Sequence, residues 1–112
     1  MLHSCSLSDP WFGHIKSGAK IYEGRRWWAP TQRMKVGDTI AFKSRATGEI
    51  CPKRIKKIVV YDSFETALQI VPLQDILPGV KTIAEGVKLY EKFVSLDTQS
   101  TDGVCIIELD CA

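Results

Sequence analysis

The sequence predicts an α+β fold: a small mixed or antiparallel β-barrel flanked by short helices. Three observations carry that expectation. The chain has 112 residues, 45% of them apolar and 25% charged, which is enough for one buried core and too little for two. Its strand-like and helix-like segments do not alternate as regularly as a parallel sheet demands. Its tail, "VCIIELD", reads as a buried closing strand. Residues 1–112 are therefore read as one domain.

Each element has a local reason. "LHSCSL" alternates enough for a short strand. In "SDPWFGHIKSG", Ser8 or Asp9 can cap a short helix, Pro10 suits its first turn, and Gly18 supplies a left-handed stop. Trp11 and Ile15, four apart, would face the core and leave Lys16 outward. "KIYEGR" follows as a strand with Ile21, Glu23 and Arg25 on one face. "MKVGDTIAFKS" carries a turn at Gly37-Asp38 and a strand with Ile40 and Phe42 on one side. "ATGE" turns the chain into "ICPKRIKKIVVY", an antiparallel partner in which Pro52 marks an edge or a bulge.

"SFETALQIV" is a short helix capped by Ser63 and ended by Pro72, and "LPGV" is a break. "TIAEGVKLYEKFVS" is the clearest helix, with Thr82 and Glu85 in capping-box spacing and Ile83, Val87, Tyr90 and Val94 on one stripe. Gly86 costs that helix about 1 kcal/mol relative to alanine, so the position calls for close packing. "TQSTDG" reads as a loop.

Composition excludes several classes of function. No apolar run approaches a membrane span, and "MLHSCSLSDP" lacks the basic and apolar regions of a signal peptide. A cytoplasmic location is expected, with the nucleus as the alternative. Cysteines 5, 51, 105 and 111 form no CxxC pair, so buried free thiols are expected rather than a metal site or disulfide. His3 and His14 stand alone and read as structural or surface residues. Walker, GxGxxG, HExxH and GxSxG patterns are missing, so nothing points to a cofactor, a catalytic metal or a serine hydrolase.

The formal charge of +2 conceals a division: residues 1–60 sum to +8 and residues 61–112 to −6. Either the first half meets a polyanion, or the two halves neutralise each other across the fold.

The densest chemistry lies in "GAKIYEGRRWWAP", residues 18–30. An extended segment here projects Glu23 and Arg25 together, with Lys20 able to curl over the same face. A carboxylate between two cations can accept from a base edge, while the cations hold phosphate or carbonyl oxygens. Tyr22, Trp27 and Trp28 offer flat surfaces for an unstacked base, and Arg26 adds charge beside them. The plainer alternative is a surface ion pair worth under about 1 kcal/mol and a tryptophan that fills the core. A second basic run holds Lys53 and Lys57 on one side of a strand and Arg54 and Lys56 on the other. Such a run either solvates an edge or extends a phosphate-binding surface.

The segment "PWFGHIKSGAKIYEGR" resembles the opening of ASCH domains, PUA-like barrels with a G-x-K-x-x-E-x-R signature after a short helix. Gly18, Lys20, Glu23 and Arg25 fill every signature position. The resemblance continues through "KVGDTIAF", "YDSFETAL", "LPGVKTIAEGVKLYEKF" and "GVCIIEL". It implies a barrel with a cleft beside the first helix, lined by Lys20, Glu23 and Arg25. It also implies binding of RNA or single-stranded nucleic acid, including a modified or extruded base.

An enzymatic branch of the family deacetylates N4-acetylcytidine nucleosides with a Lys, a Thr and a Glu. Lys20 matches its lysine, but the threonine position falls on Glu23 and the acid falls near Gly79, with Asp75 close by. A carboxylate cannot replace a nucleophilic hydroxyl without changing the mechanism, so the comparison leans against an enzyme of that type. Two alternatives to simple binding stand: nucleoside amide hydrolysis or RNA cleavage with Lys20 and Glu23 as the acid–base pair, and a protein-interaction module of transcriptional regulation anchored by Trp27 and Trp28.

Overall fold

The computed structural model describes residues 1–111. Five strands, β1 (Leu2–Leu7), β2 (Tyr22–Arg26), β3 (Thr39–Ser44), β4 (Ile50–Tyr61) and β5 (Val104–Cys111), form one sheet in the order β1-β3-β4-β5-β2. Only β1 and β3 run parallel; the other neighbours are antiparallel. The sheet curls into a half-barrel, not a closed one. Its free edges, β1 and β2, border an open seam.

Alternation along β5 assigns the two faces of the sheet. Cys105, Ile107 and Leu109 join Ile40, Phe42 and Ile55 in one core, closed by Phe12 and Ile15 of helix α1 (Trp11–Ser17). Val104 and Ile106 enter the other core, beneath α3 (Phe64–Ile70), α4 (Leu73–Ile76) and α5 (Ile83–Glu91). Each fully buried Ile or Phe contributes about 1.5–3 kcal/mol, so both faces are anchored. Partly buried Trp11 packs against both cores, and Phe12 takes the fully buried place that the sequence offered to Trp11.

Local chemistry sets most boundaries as expected. Gly18 ends α1 at φ 84°, in the left-handed region. Ser63 accepts from Thr66 N, and Thr82 from Glu85 N, at the starts of α3 and α5. Gly86 earns its place: a Cβ there would stand 2.9 Å from Leu68 Cδ1 and 3.1 Å from Leu77 Cδ1.

Other elements differ from expectation. Neither Ser8 nor Asp9 caps α1 through its side chain; Trp11 N and Phe12 N donate to the Ser8 carbonyl instead. Glu85 accepts from Lys81 N rather than completing a capping box with Thr82. The sequence put residues 98–103 in a loop, yet α6 (Leu96–Asp102) covers most of them. It starts at a Ser95 cap and is held by buried Gln99, which accepts from Phe64 N and donates to the Val94 carbonyl. A further short helix, α2 (Ala29–Gln32), follows β2, and α4 occupies a stretch without a periodic signal.

Pro52, near the start of β4, faces Ala41 of β3, and among the described residues the β5 pairing begins one residue later, at Lys53. The irregularity in β4 falls later, between Ile55 and Lys57. That extra residue reverses the alternation, so Lys53 and Lys57 do not share a face.

Across the β1–β3 side, Asp38 accepts from His3 Nε2, the amino terminus and Lys35 N, which lowers its carboxyl from 3.8 to about 2. A depressed folded-state value adds stability above the unfolded value and loses it as pH falls. Melting temperature should therefore fall between about pH 4 and pH 2 in the wild type. Asp38→Asn should be less stable at neutral pH and should flatten this slope; an unchanged slope would disprove the linkage.

Candidate nucleic-acid cleft

Edge strand β2 organises the site. Trp27 N donates to the Gly103 carbonyl and Leu109 N to the Ile21 carbonyl, so odd-numbered residues of β2 bond to β5. The main-chain groups of Tyr22, Gly24 and Arg26 then face the free edge. Side chains follow the same parity: Glu23 and Arg25, opposite Ile107 and Cys105, lie on the α1 face, while Gly24 and Arg26 lie on the α5 face. A cleft of about 380 Å³ runs over this edge between β2 and the end of β1, and Trp11 of α1, Leu89 and Tyr90 of α5 and Phe93 just beyond α5 help to line it.

Lys20 lies beneath the cleft with only 3% of its surface exposed. The α1 stop places it, since Lys20 N donates to the His14 carbonyl. Its ammonium donates to the Tyr22 and Ile76 carbonyls, both at 2.6 Å, and lies 3.4 Å from Glu23 Oε1. Two of its three N–H groups are thereby held by carbonyls, and the third side of the ammonium faces the Glu23 carboxylate as an ion pair. Burial lowers the Lys20 pKa, opposed by the Glu23 carboxylate.

Glu23, 4% exposed, accepts from Arg25 Nε at 2.8 Å through its other oxygen. A carboxylate offers about four lone-pair positions, so two such contacts leave acceptor capacity. On the far side of Arg25, NH2 reaches the Ser6 carbonyl at 3.5 Å across the seam.

The cleft mouth is aromatic. Trp28 is 45% exposed, and the Arg26 guanidinium lies 4.3 Å from its ring centroid. Asp102, at the end of α6, fixes that guanidinium with Nε–Oδ2 2.7 Å and NH2–Oδ2 2.6 Å. Buried Thr31 braces the corner by donating to the Arg26 carbonyl and accepting from Trp28 N. Phe93, 65% exposed, adds a second ring.

On the α5 side, Gly24 permits close approach: a Cβ there would stand 2.7 Å from the Tyr90 hydroxyl and 2.9 Å from Phe64 Cε1. The Tyr90 and Phe64 rings stack at 3.9 Å. Burial raises the Tyr90 pKa well above its ordinary value; the Gly24 amide opposes this, yet the hydroxyl has no hydrogen-bond partner of good geometry. Burial likewise lifts Cys105 to about 12 and raises Cys5, so both stay protonated near neutral pH and are poor nucleophiles.

The structure brings Lys20, Glu23, Arg25, Arg26 and Trp28 to this cleft and leaves the other sequence candidates outside its lining. Half-buried Trp27 packs against the α1-side core. Tyr22 and Lys57 line a smaller hollow of about 150 Å³ on the other face. Arg54 is exposed opposite Asp110, Lys53 lies opposite Cys111, and Lys56 sits 3.5 Å from Glu108. Arg26–Asp102 and Lys56–Glu108 also join the basic first half of the chain to the acidic second half. Sequence reasoning missed Ser6 and Arg45, which line the cleft outside any motif, and placed Tyr90 only on a helix stripe, although it lines the cleft too.

A curled half-barrel, a short helix in its hollow and a cleft at the seam beside that helix define a PUA-like domain. The ASCH domain family model matches residues 6–109, and the chain belongs to that family. Its fold is similar to that of hypothetical protein PH0355, at 34% identity over 98% of each chain with a TM-score of 0.90. It is also similar to protein PF0455 from Pyrococcus furiosus, at 34% identity over 98% of this chain and 96% of that one, TM-score 0.81. The ASCH protein from Zymomonas mobilis shares the fold at 17% identity, covering 97% of this chain and 66% of the other, TM-score 0.67. No curated protein sequence matches the chain. ASCH proteins are generally associated with nucleic acid. Among the described residues, no helix is long and apolar enough to cross a membrane.

Two substitutions separate the buried groups by urea denaturation. Lys20→Met strips Glu23 and two carbonyls of a donor and should cost about 3–5 kcal/mol. Tyr90→Phe removes a hydroxyl without a partner and should leave stability unchanged or raise it by up to about 1–3 kcal/mol. A stable Lys20→Met or a destabilised Tyr90→Phe would reverse the assignment concerned.

Proposed function

We propose that the chain binds single-stranded RNA, or another single-stranded nucleic acid, by taking an unpaired base into the seam cleft. One observation carries the reading: the buried, doubly held Glu23 carboxylate sits below a mouth bearing exposed Trp28. The cleft volume of about 380 Å³ suits a small ring; ligand sites commonly measure about 300–1,000 Å³. Glu23 accepts from an exocyclic amine, plain or modified, and Trp28 stacks on the ring. Arg25 contacts a base carbonyl or phosphate oxygen. Lys20 acts through Glu23, because its own donors are engaged within the chain.

The enzymatic alternative has less support. Lys20 is enclosed, bonded to two carbonyls and paired with Glu23, which suits a positioning role better than proton transfer to a ligand. The basic run at Lys53, Arg54, Lys56 and Lys57 serves at most as a sequence-independent attraction outside the cleft.

Fluorescence anisotropy with one labelled RNA, single-stranded and then annealed into a duplex, tests the reading. The single strand should bind more tightly, and Trp28→Ala should cost about 1–3 kcal/mol of binding. Equal affinity for both forms, or an inert Trp28→Ala, would refute it.

A further inference from the structure

Arg45 follows β3, where Arg45 N donates to the Leu7 carbonyl at the end of β1. Its guanidinium turns to the seam, and Nε donates to Ser6 Oγ at 3.3 Å. From the opposite edge, Arg25 NH2 reaches the carbonyl of the same residue at 3.5 Å. Two guanidiniums, one from β2 and one from the turn after β3, thus converge on Ser6. Both contacts are longer than the ~2.7–2.9 Å of strong charge-assisted bonds, so neither guanidinium is saturated. Arg45 uses one of its five N–H donors here.

Charge accounting points the same way. Lys20 and Arg25 share the single carboxylate of Glu23, and Arg26 is matched by Asp102. Among the described residues Arg45 has no ion-pair partner. The groups around the cleft therefore retain two positive charges in excess, and among the described residues no carboxylate pairs with Arg45 to offset them. Ser6 and Ser8 both line the cleft, and Ser6 Oγ can donate while accepting from Arg45.

We infer that the Arg25–Ser6–Arg45 corner is a phosphate subsite, so that the cleft takes a nucleotide rather than a free base or nucleoside. The identity of the ring rests on the single-strand reading above; the phosphate subsite does not. Arg25 bridges the two parts, with Nε on the carboxylate that faces the base and NH2 toward the phosphate. Arg45 supplies the fork on the other side of the anion.

Arg45 is exposed, so Arg45→Gln should fold and melt like the wild type. With a labelled single-stranded RNA titrated over a series of KCl concentrations, it should lower the magnitude of the log–log salt slope by about 0.7, one phosphate of a single strand. Affinity should fall by a similar factor for every sequence, while Lys81→Gln, an exposed control outside the cleft, leaves both unchanged. A wild-type slope in Arg45→Gln would overturn the proposal.

A second arm needs no RNA. The Arg25 and Arg45 Nε–H resonances of 15N-labelled protein are followed during titration with inorganic phosphate, the four nucleosides and their 5′-monophosphates. Saturable shifts of both resonances with phosphate and tighter ones with a monophosphate are expected, while nucleosides leave the Arg45 resonance unmoved. Absence of any shift with phosphate or monophosphate overturns the subsite, and equal affinity for both overturns the nucleotide assignment. If the wild type binds no RNA, the single-strand reading fails and this arm alone decides the subsite.

Discussion

The buried ammonium of Lys20 is the tie on which the site's architecture depends. It joins the segment after α1, the free edge of β2 and the end of α4 through two short bonds to carbonyls. An isolated cation in that position would be costly, and the nearby Glu23 carboxylate offsets the cost. Glu23 is consequently immobilised at the bottom of the cleft instead of sweeping through solvent. Lys20 and Glu23 are therefore a structural couple first, and the lining of the cleft is what that couple holds in place.

The open seam follows from the strand order. With β1 paired only to β3 and β2 only to β5, two edges face each other without completing the barrel. Exposed edges invite association with other chains unless something blunts them. Here the gap is bordered by guanidiniums and aromatic rings, which discourage a further strand. Arg26 shows how the two kinds of surface are combined: Asp102 neutralises it and fixes it against Trp28, so it braces a ring more than it attracts an anion.

What was legible in the sequence divides along the range of the interactions involved. Gly18, Ser63 and Thr82 were readable because caps are short-range chemistry, settled within a few residues. Glu23 and Arg25 were readable as a pair because a strand alternates. Helix α6 was not readable: in "LDTQSTD" only Leu96 is apolar, and the segment is secured by Gln99 bonding to Phe64 in another helix. The facing of Lys57 depends on the irregular β4–β5 register, which no feature of "KRIKKI" encodes. Arg45 escaped notice for a similar reason, since only the β1–β3 pairing and the following turn carry it to Ser6.

Gly24 has a wider meaning. Its peptide faces the vacant side of β2, and two aromatic side chains occupy the space that any larger residue would need. A ligand edge meeting that peptide would be read by atoms common to all amino acids. Discrimination built on such a contact resists side-chain drift during evolution, since only a change at Gly24 or a shift of the whole strand would disturb it.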